Sequence, residues 1–251
     1  MNQFALQTTS LVKKFGGFVA TNSVSINVRD GARHALIGPN GAGKTTLINL
    51  LTGYLSATSG SVTLNGTEIT SLPQHQRVRR GLVRTFQINQ LFADMTVLEA
   101  VTMATLEQAG MGMNWWQPVG AHSAAIDEAA SILLMLRLHD VANERCKDLA
   151  YGRQRLIEIA LALATRPKVL LLDEPAAGVP TSESRELFDT IAQLPSHVTV
   201  LLIEHDMDLV FRFADRISVL VNGALLIEGD PEAIARNSKV REVYLGEAHC
   251  G

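Results

Sequence analysis

Three short stretches of this chain carry residue types at spacings that suit phosphate chemistry. Gly38 to Thr45 reads "GPNGAGKT", which fits G-x-x-x-x-G-K-[ST]. Glycines there let backbone N–H groups turn inward around a β-phosphate, and a helix starting at that point adds a favourable partial charge. Lys44 then reaches the β/γ oxygens, and the Thr45 hydroxyl suits Mg²⁺. A chance glycine turn is the bland alternative, and the strand-like run before it and the helical run after it weigh against that. The second stretch, "VLLLDEP" from Val169 to Pro175, ends an apolar run in two adjacent carboxylates. Neighbouring side chains of a strand point to opposite faces, so Asp173 and Glu174 cannot share one role. Asp173 suits the shell of a metal, and Glu174 suits the γ-phosphate side, where it can polarise an attacking water. With no phosphate loop elsewhere in the chain, an ordinary acidic strand end would be the better account.

The third stretch, "LAYGRQRLIEIALALA" from Leu149 to Ala164, begins like a turn and continues as an apolar, alanine-rich helix. A helix N-terminus presents unsatisfied N–H donors and a partial positive charge, which suits a phosphate arriving from outside. On this segment alone, a plain turn at Tyr151-Gly152 accounts for it equally well. Two single residues complete the set. Gln87 in "VRTFQ" has an amide that could touch a metal or a water, and His205 in "VLLIEHD" ends a strand close to where a γ-phosphate would lie in a parallel sheet. A lone glutamine or strand-end histidine is more often structural, so their weight comes from their order along the chain.

The elements that must position these residues follow from hydrophobic patterning. "KVLLLDE", "VTVLLIEH" and "RISVLV" are short, continuous apolar runs. They predict strands covered on both faces, hence a parallel sheet wrapped by helices. Asp30-Gly31 and Asn65-Gly66 lie between strand-like runs and predict hairpins in an antiparallel β-rich layer, and "LVNGALLIEGDPEAI" repeats the signal before a last helix. Between the first two hairpins the glycine loop leads into a short helix stopped by Gly53. From about Met95 to Leu163 the chain turns helical, with "TVLEAVTMATLEQAG" and "AAIDEAASILLMLRL" separated by "GMGMNWWQPVGAH". The expected fold class is therefore α/β: a P-loop NTPase core with a mostly parallel sheet over 1–94 and 164–251, an antiparallel β layer, and an inserted α-helical subdomain over 95–163.

Composition narrows the function classes. A 251-residue chain can bury a full core, and a net charge of -3 argues against a partner held by bulk positive charge, so no nucleic acid is expected. Cys146 and Cys250 have no metal-ligand spacing and read as free thiols, and the histidines apart from His205 show none either. Mean hydropathy is positive at +0.14, yet no window approaches the run of about 18 apolar residues that a spanning helix needs. The start, "MNQFALQTTS", lacks a basic region followed by an apolar one, so no secretory signal is expected.

Taken in order, the phosphate loop, the glutamine after a Thr-Phe pair, the turn-led helix, "LLLDEP" and "EHD" resemble the ATP-binding cassette ATPases over nearly the whole length. The resemblance implies ATP and Mg²⁺. It implies nucleotide contacts from Gly38, Pro39, Asn40, Gly41, Ala42, Gly43, Lys44, Thr45 and Thr46, metal contacts from Thr45, Gln87 and Asp173, and Glu174, His205 and Gln87 as the catalytic set. Phe15, in "KKFGG", aligns with the family's adenine-stacking aromatic residue, although a core aromatic of the β layer accounts for it nearly as well. The family's signature, commonly Leu-Ser-Gly-Gly-Gln, falls on Leu149, Ala150, Tyr151, Gly152 and Arg153. In the family this turn covers the γ-phosphate held by the phosphate loop of a second subunit packed head to tail. Each chain would then carry two half-sites and be incomplete alone.

The departures from the family pattern are specific. Ala150 replaces a serine, deleting a hydroxyl bond to an ionised oxygen of a kind worth roughly 1.5–3 kcal/mol, and Arg153 adds a cation nearby. Pro180, in "AAGVP", replaces an acid that would reach across the dimer. Tyr151, "DEPAAG" and the ending "VREVYLGEA" resemble the ATPase subunits of bacterial importers for branched-chain and other hydrophobic amino acids; urea or amide importers and the lipopolysaccharide-export ATPase share part of this pattern. The implied partners are a second ABC ATPase subunit, identical or related, integral-membrane permease subunits, and indirectly a periplasmic solute-binding protein. The implied location is peripheral, on the cytoplasmic face of the inner membrane. Trp115 and Trp116 would meet a membrane subunit or cover the helical lobe's own core. A cytosolic ABC protein acting on ribosomes or DNA, or an unrelated P-loop kinase, fits less of the constellation.

Overall fold

The computed structural model describes residues 3–85, 93–110 and 122–247. In chain order the elements are β1 (Phe4–Phe15), β2 (Phe18–Val24), β3 (Asn27–Arg29), β4 (Arg33–Ile37), α1 (Lys44–Thr52), β5 (Ser59–Leu64), β6 (Thr67–Glu68), α2 (Gln74–Arg79) and β7 (Leu82–Arg84). There follow α3 (Val97–Gln108), α4 (Ser123–Met135), α5 (Tyr151–Ala164), β8 (Val169–Asp173), α6 (Thr181–Ala192), β9 (Thr199–Ile203), α7 (Met207–Phe213), β10 (Arg216–Val221), β11 (Ala224–Gly229), α8 (Pro231–Arg236) and α9 (Ser238–Glu247). They fall into two units, one of Met1–Leu82, Lys168–Glu174 and Ser196–Gly251, the other of Val83–Pro167 and Pro175–Pro195.

The first unit holds the strand-forming runs. One sheet has the order β11-β10-β4-β9-β8-β7. Its β10, β4, β9 and β8 are mutually parallel, and β11 is antiparallel on β10. Every residue of β9 is buried, and so are Val169–Leu172 of β8, as apolar runs without polar alternation require. The register sets Leu36 level with Ile203 and Ile203 level with Asp173. The chain therefore leaves β4, β9 and β8 at the same end. The other sheet, β2-β1-β5-β6 with β3 beside β1, is antiparallel. Leu47, Ile48, Leu50 and Leu51 of α1 sit in a core with Leu6, Ile26, Val62, Leu171 and Leu201. Burying each such side chain contributes about 1.5–3 kcal/mol, so the helix behind the glycine loop is held firmly.

Two of the three expected hairpins form. Asn65-Gly66 joins β5 to β6 and Asn222-Gly223 joins β10 to β11, all four residues with positive φ as a two-residue type I′ turn demands. Asp30-Gly31 does not close a hairpin. β3 pairs with β1 while β4 runs between β10 and β9, so this turn carries the chain from one sheet to the other. Turn chemistry reports a reversal but not the partner of the next strand, and β4 finds its partners more than 150 residues away.

The second unit is built from α3, α4, α5 and α6. Thr96 and Glu99 close a capping box on α3, with bonds of 3.2 and 2.9 Å. Helix α5 is buried from Arg155 to its end and is the one on which α3, α4 and α6 pack. Among the described residues no helix is long and apolar enough to cross a membrane.

A polar chain crosses β4, β10 and β11 within the sheet. His34 Nε2 lies 2.8 Å from Ser218 Oγ, Ser218 donates to Glu228 at 2.8 Å, and Arg216 Nε donates to the other Glu228 oxygen at 2.6 Å. Because the Ser218 proton is committed to Glu228, Ser218 must accept from a neutral His34. Burial pushes the His34 pKa down to about 4, the Glu228 charge opposing that and the Arg216 charge adding to it. The unfolded chain therefore takes up a proton near pH 6.5 that the folded chain refuses until about pH 4. Stability should fall as pH drops through that window, by up to about 3 kcal/mol. Urea unfolding of wild type and His34→Gln between pH 7.5 and 5 checks this: wild type should lose stability faster below pH 6.5, and parallel curves would contradict it.

Candidate active site

In the first unit, the loop leaving β4 and the ends of β8 and β9 line one cavity of about 310 Å³ with Phe18, Ala20, Asn40–Thr46, Glu174 and His205. Gly43 caps α1 with no side-chain oxygen, and the first turn of α1 carries no acidic residue. The positive end of that helix is thus shaped for an external anion. Gly43 has φ +95°, and a Cβ on it would lie 2.5 Å from the Ala20 carbonyl oxygen, so backbone shape and space both demand glycine. Lys44 is almost fully buried, and its Nζ donates to the carbonyls of Gly38 at 2.6 Å and Pro39 at 3.0 Å. The cation is held along the inner edge of the loop, where β- and γ-phosphate oxygens would meet it.

Glu174 leaves β8 with φ +49°, an uncommon conformation for a residue with a side chain. Its N–H donates to the Ile203 carbonyl at 2.9 Å, and its Oε1 lies 2.6 Å from His205 Nε2. Strain of this kind persists where the surroundings impose it, and it aims the carboxylate into the cavity. Beside this pair, buried Glu204 accepts from the His205 backbone N–H at 3.0 Å and fixes the start of the turn. Asp173 ends β8 half-buried and does not line the cavity. Thr45 and Asp173 offer hard oxygen donors. Among the described residues no group of three or more His, Cys, Asp or Glu could hold a metal by itself. A Mg²⁺ here would rely on phosphate and water oxygens as well as these side chains, in keeping with its preference for oxygen ligands.

The aromatic residue lining this cavity is Phe18, and Phe15 stands opposite it on the neighbouring strand. The two are cross-strand partners bracketing the Gly16-Gly17 turn, and Phe15 carries the Lys13 ammonium 5.1 Å from its ring centre. The symmetric "FGGF" spelling held this possibility, and so did Ala20 through its contact with Gly43; neither was singled out from sequence. Gln87, Trp115 and Trp116 lie outside the described residues.

In the second unit the signature-like turn is held by an unforeseen set of contacts. Ala150 is the N-cap of α5 and supplies no side-chain bond. Instead the Gly152 N–H donates to Glu183 Oε2 at 3.1 Å, and a Cβ on Gly152 would lie 2.7 Å from that oxygen. The Tyr151 ring sits against Gly178, where a Cβ would come within 3.2 Å, and Arg155 stacks on the ring and donates to its hydroxyl at 2.6 Å. A bulky residue in the turn is thus matched by a missing side chain after β8. Arg155 also pairs with Glu158 at 2.8 Å, both buried. Arg153 is engaged by Asp140 at 2.7 Å, and Leu149 accepts from Gln154 through its carbonyl.

A parallel sheet delivering a glycine-lysine loop, an acid and a histidine to one cavity defines a phosphate-loop nucleotide hydrolase. Residues 21–177 match the family described as ABC transporter, and 226–250 match the one described as branched-chain amino acid ATP-binding cassette transporter. The chain belongs to the ATP-binding cassette transporter family. It is 45% identical to the high-affinity branched-chain amino acid transport ATP-binding protein LivG of Salmonella typhimurium and 44% identical to BraF of Pseudomonas aeruginosa, each across 99% of this chain and 100% of the relative. Among solved structures it is similar to a nucleotide-free ATP-binding cassette from an ABC transporter, with 34% identity over 96% of this chain and 98% of the other and a TM-score of 0.83. A second cassette, in its ADP conformation, matches with 34% identity over 97% and 99% and a TM-score of 0.85.

At Gly43 both the left-handed backbone and the Ala20 carbonyl exclude a side chain. Gly43→Ala should leave a folded chain whose ADP affinity, read by calorimetric titration, is at least about tenfold weaker, a loss of about 1.4 kcal/mol. Wild-type affinity in that variant would contradict the role given to the loop.

Proposed function

We propose that this chain is the ATP-binding subunit of a transporter importing branched-chain or other hydrophobic amino acids, and that it hydrolyses ATP between two subunits. The hydrolytic part rests on the meeting of Glu174 and His205 at 2.6 Å in the cavity lined by the Lys44 loop. The amino-acid part is supported by the names of the full-length relatives and by the match over 226–250.

The loop amides and Lys44 bind the triphosphate, and Phe18 or its neighbour Phe15 offers the adenine an aromatic face. Thr45 and Asp173, together with Gln87 as the family resemblance implies, would hold Mg²⁺, and the bound ion would offset charge on the phosphate oxygens. Glu174 takes a proton from water as the water oxygen bonds to the γ-phosphorus and the bond to the β–γ bridging oxygen breaks, leaving ADP and phosphate. His205, donating to Oε1, fixes the carboxylate and leaves Oε2 for the water.

The turn at Leu149, Ala150, Tyr151 and Gly152 is the complementary half-site, closing over the γ-phosphate of a partner subunit. Its Gly152 amide is engaged by Glu183, and a carboxylate and a triphosphate repel. Closure therefore displaces Glu183, which makes the free turn ordered yet reluctant. Opening and closing of the dimer is passed to integral-membrane permease subunits, with the chain lying peripherally on the cytoplasmic face and a periplasmic binding protein delivering the solute.

Glu174→Gln should still bind ATP but turn over at least about 100-fold more slowly, and cells relying on it should lose uptake of labelled leucine. Near-normal hydrolysis would remove Glu174 as the base. Intact leucine uptake with loss of urea or amide uptake would redirect the cargo assignment. Glu183→Gln should lower the ATP concentration for half-maximal hydrolysis by about threefold or more, since a difference of about 0.7 kcal/mol suffices for that. An unchanged or raised value would show that Glu183 does not compete.

A further inference from the structure

Arg77 is the largest fully buried side chain of the described chain, and neither the sequence motifs nor the hydrolytic site uses it. It lies on α2, and its guanidinium donates only to backbone carbonyls: Nη1 to Leu50 at 2.7 Å and Leu51 at 2.6 Å, Nη2 to Thr70 at 2.7 Å, Nε to Leu72 at 2.8 Å. Burial pulls its pKa below the ordinary arginine value. Leu50 and Leu51 are in the last turn of α1, the helix whose first turn borders the phosphate loop. A cation there complements the negative end of the helix and supplies strong, charge-assisted bonds to its terminal carbonyls. The fork geometry matters, because one planar group reaches α1 and the Thr70–Leu72 segment together, which a lysine ammonium does less completely. Gly53, which ends α1 at φ +78°, makes room: a Cβ there would lie 2.8 Å from Arg77 Nε and 3.0 Å from the Leu72 oxygen.

We propose that Arg77 is a positioning residue for the nucleotide: it clamps the rear of α1 and so holds the amides of Gly43, Lys44 and Thr45 at the angle the phosphates need. This rests on the assignment of the loop around Lys44 as the phosphate site. Helix α1 is nine residues long, about 13 Å at 1.5 Å per residue. A small tilt at Leu51 is therefore transmitted to the loop, while direct attraction between guanidinium and phosphate over that span is weak.

The test is ADP binding by full-length variants, measured by calorimetry beside circular dichroism and melting. Arg77→Met should fold with native dichroism yet bind ADP at least about tenfold more weakly, and Arg77→Lys should recover to within about threefold of wild type. A merely structural role would lower the melting temperature while leaving the ADP affinity of the folded protein unchanged, and that result in Arg77→Met overturns the proposal. Should Arg77→Met fail to fold, Gly53→Ala replaces it. Its methyl crowds the guanidinium without removing the charge and also strains the left-handed end of α1, so wild-type ADP binding overturns the clamp, and weakened binding upholds it only when Arg77→Lys, measured alongside, stays within about threefold of wild type. Lys44→Ala keeps the two claims apart. Undiminished ADP binding there defeats the phosphate-loop assignment, whereas weak binding by Lys44→Ala with wild-type binding by Arg77→Met defeats the Arg77 assignment alone.

Discussion

The parallel alignment of β4, β9 and β8 is the constraint on which the site depends. β8 and β9 are apolar runs and β4 is buried from His34 to Ile37, and each ends beside a site residue: β4 in the glycine loop, β9 before Glu204 and His205, β8 in Asp173 and Glu174. Because Leu36, Ile203 and Asp173 stand level, those ends converge without any loop having to reach. A slip of one residue between β8 and β9 would exchange the faces of Asp173 and Glu174 and separate the acid from His205. The burial that makes the sheet stable is also what makes that slip unfavourable, so the Glu174–His205 geometry is maintained by the hydrophobic core.

The signature-like turn shows how a sequence can depart from a family pattern and remain consistent. Ala150 cannot cap α5, and Glu183 takes the amide instead; Tyr151 is too large for a turn of glycines, and Gly178 has given up its side chain to receive it. These are compensations between segments some thirty residues apart. They order the turn without any ligand, and in the proposed half-site the Glu183 carboxylate stands where the anion would arrive.

Much of this was legible from residue order and periodicity. The α/β class, the three buried strands, the helix closed by Gly53 and two Asn-Gly hairpins all follow from local rules that the structure obeys. The Asp30-Gly31 turn was not legible, because which sheet a strand joins is settled by distant partners. The same limit applies to the site. Lys44, Glu174 and His205 stand in recognisable spellings and do meet in one cavity, with Lys44 at its loop. Phe18 reaches the cavity through its hairpin, Glu183 bonds Gly152 and Arg77 bonds the last turn of α1, and nothing in their own local sequence announces that.

In the proposed dimer a triphosphate is shared by two chains, between the loop at Lys44 of one and the turn at Gly152 of the other. Single cysteines placed beside these two positions, in a Glu174→Gln background with Cys146 and Cys250 replaced, allow a direct measurement of disulfide formation between subunits. A cross-linked dimer should form with ATP and not without it. Absence of that product, in chains that bind ATP and whose Glu174 parent hydrolyses it, would contradict the account.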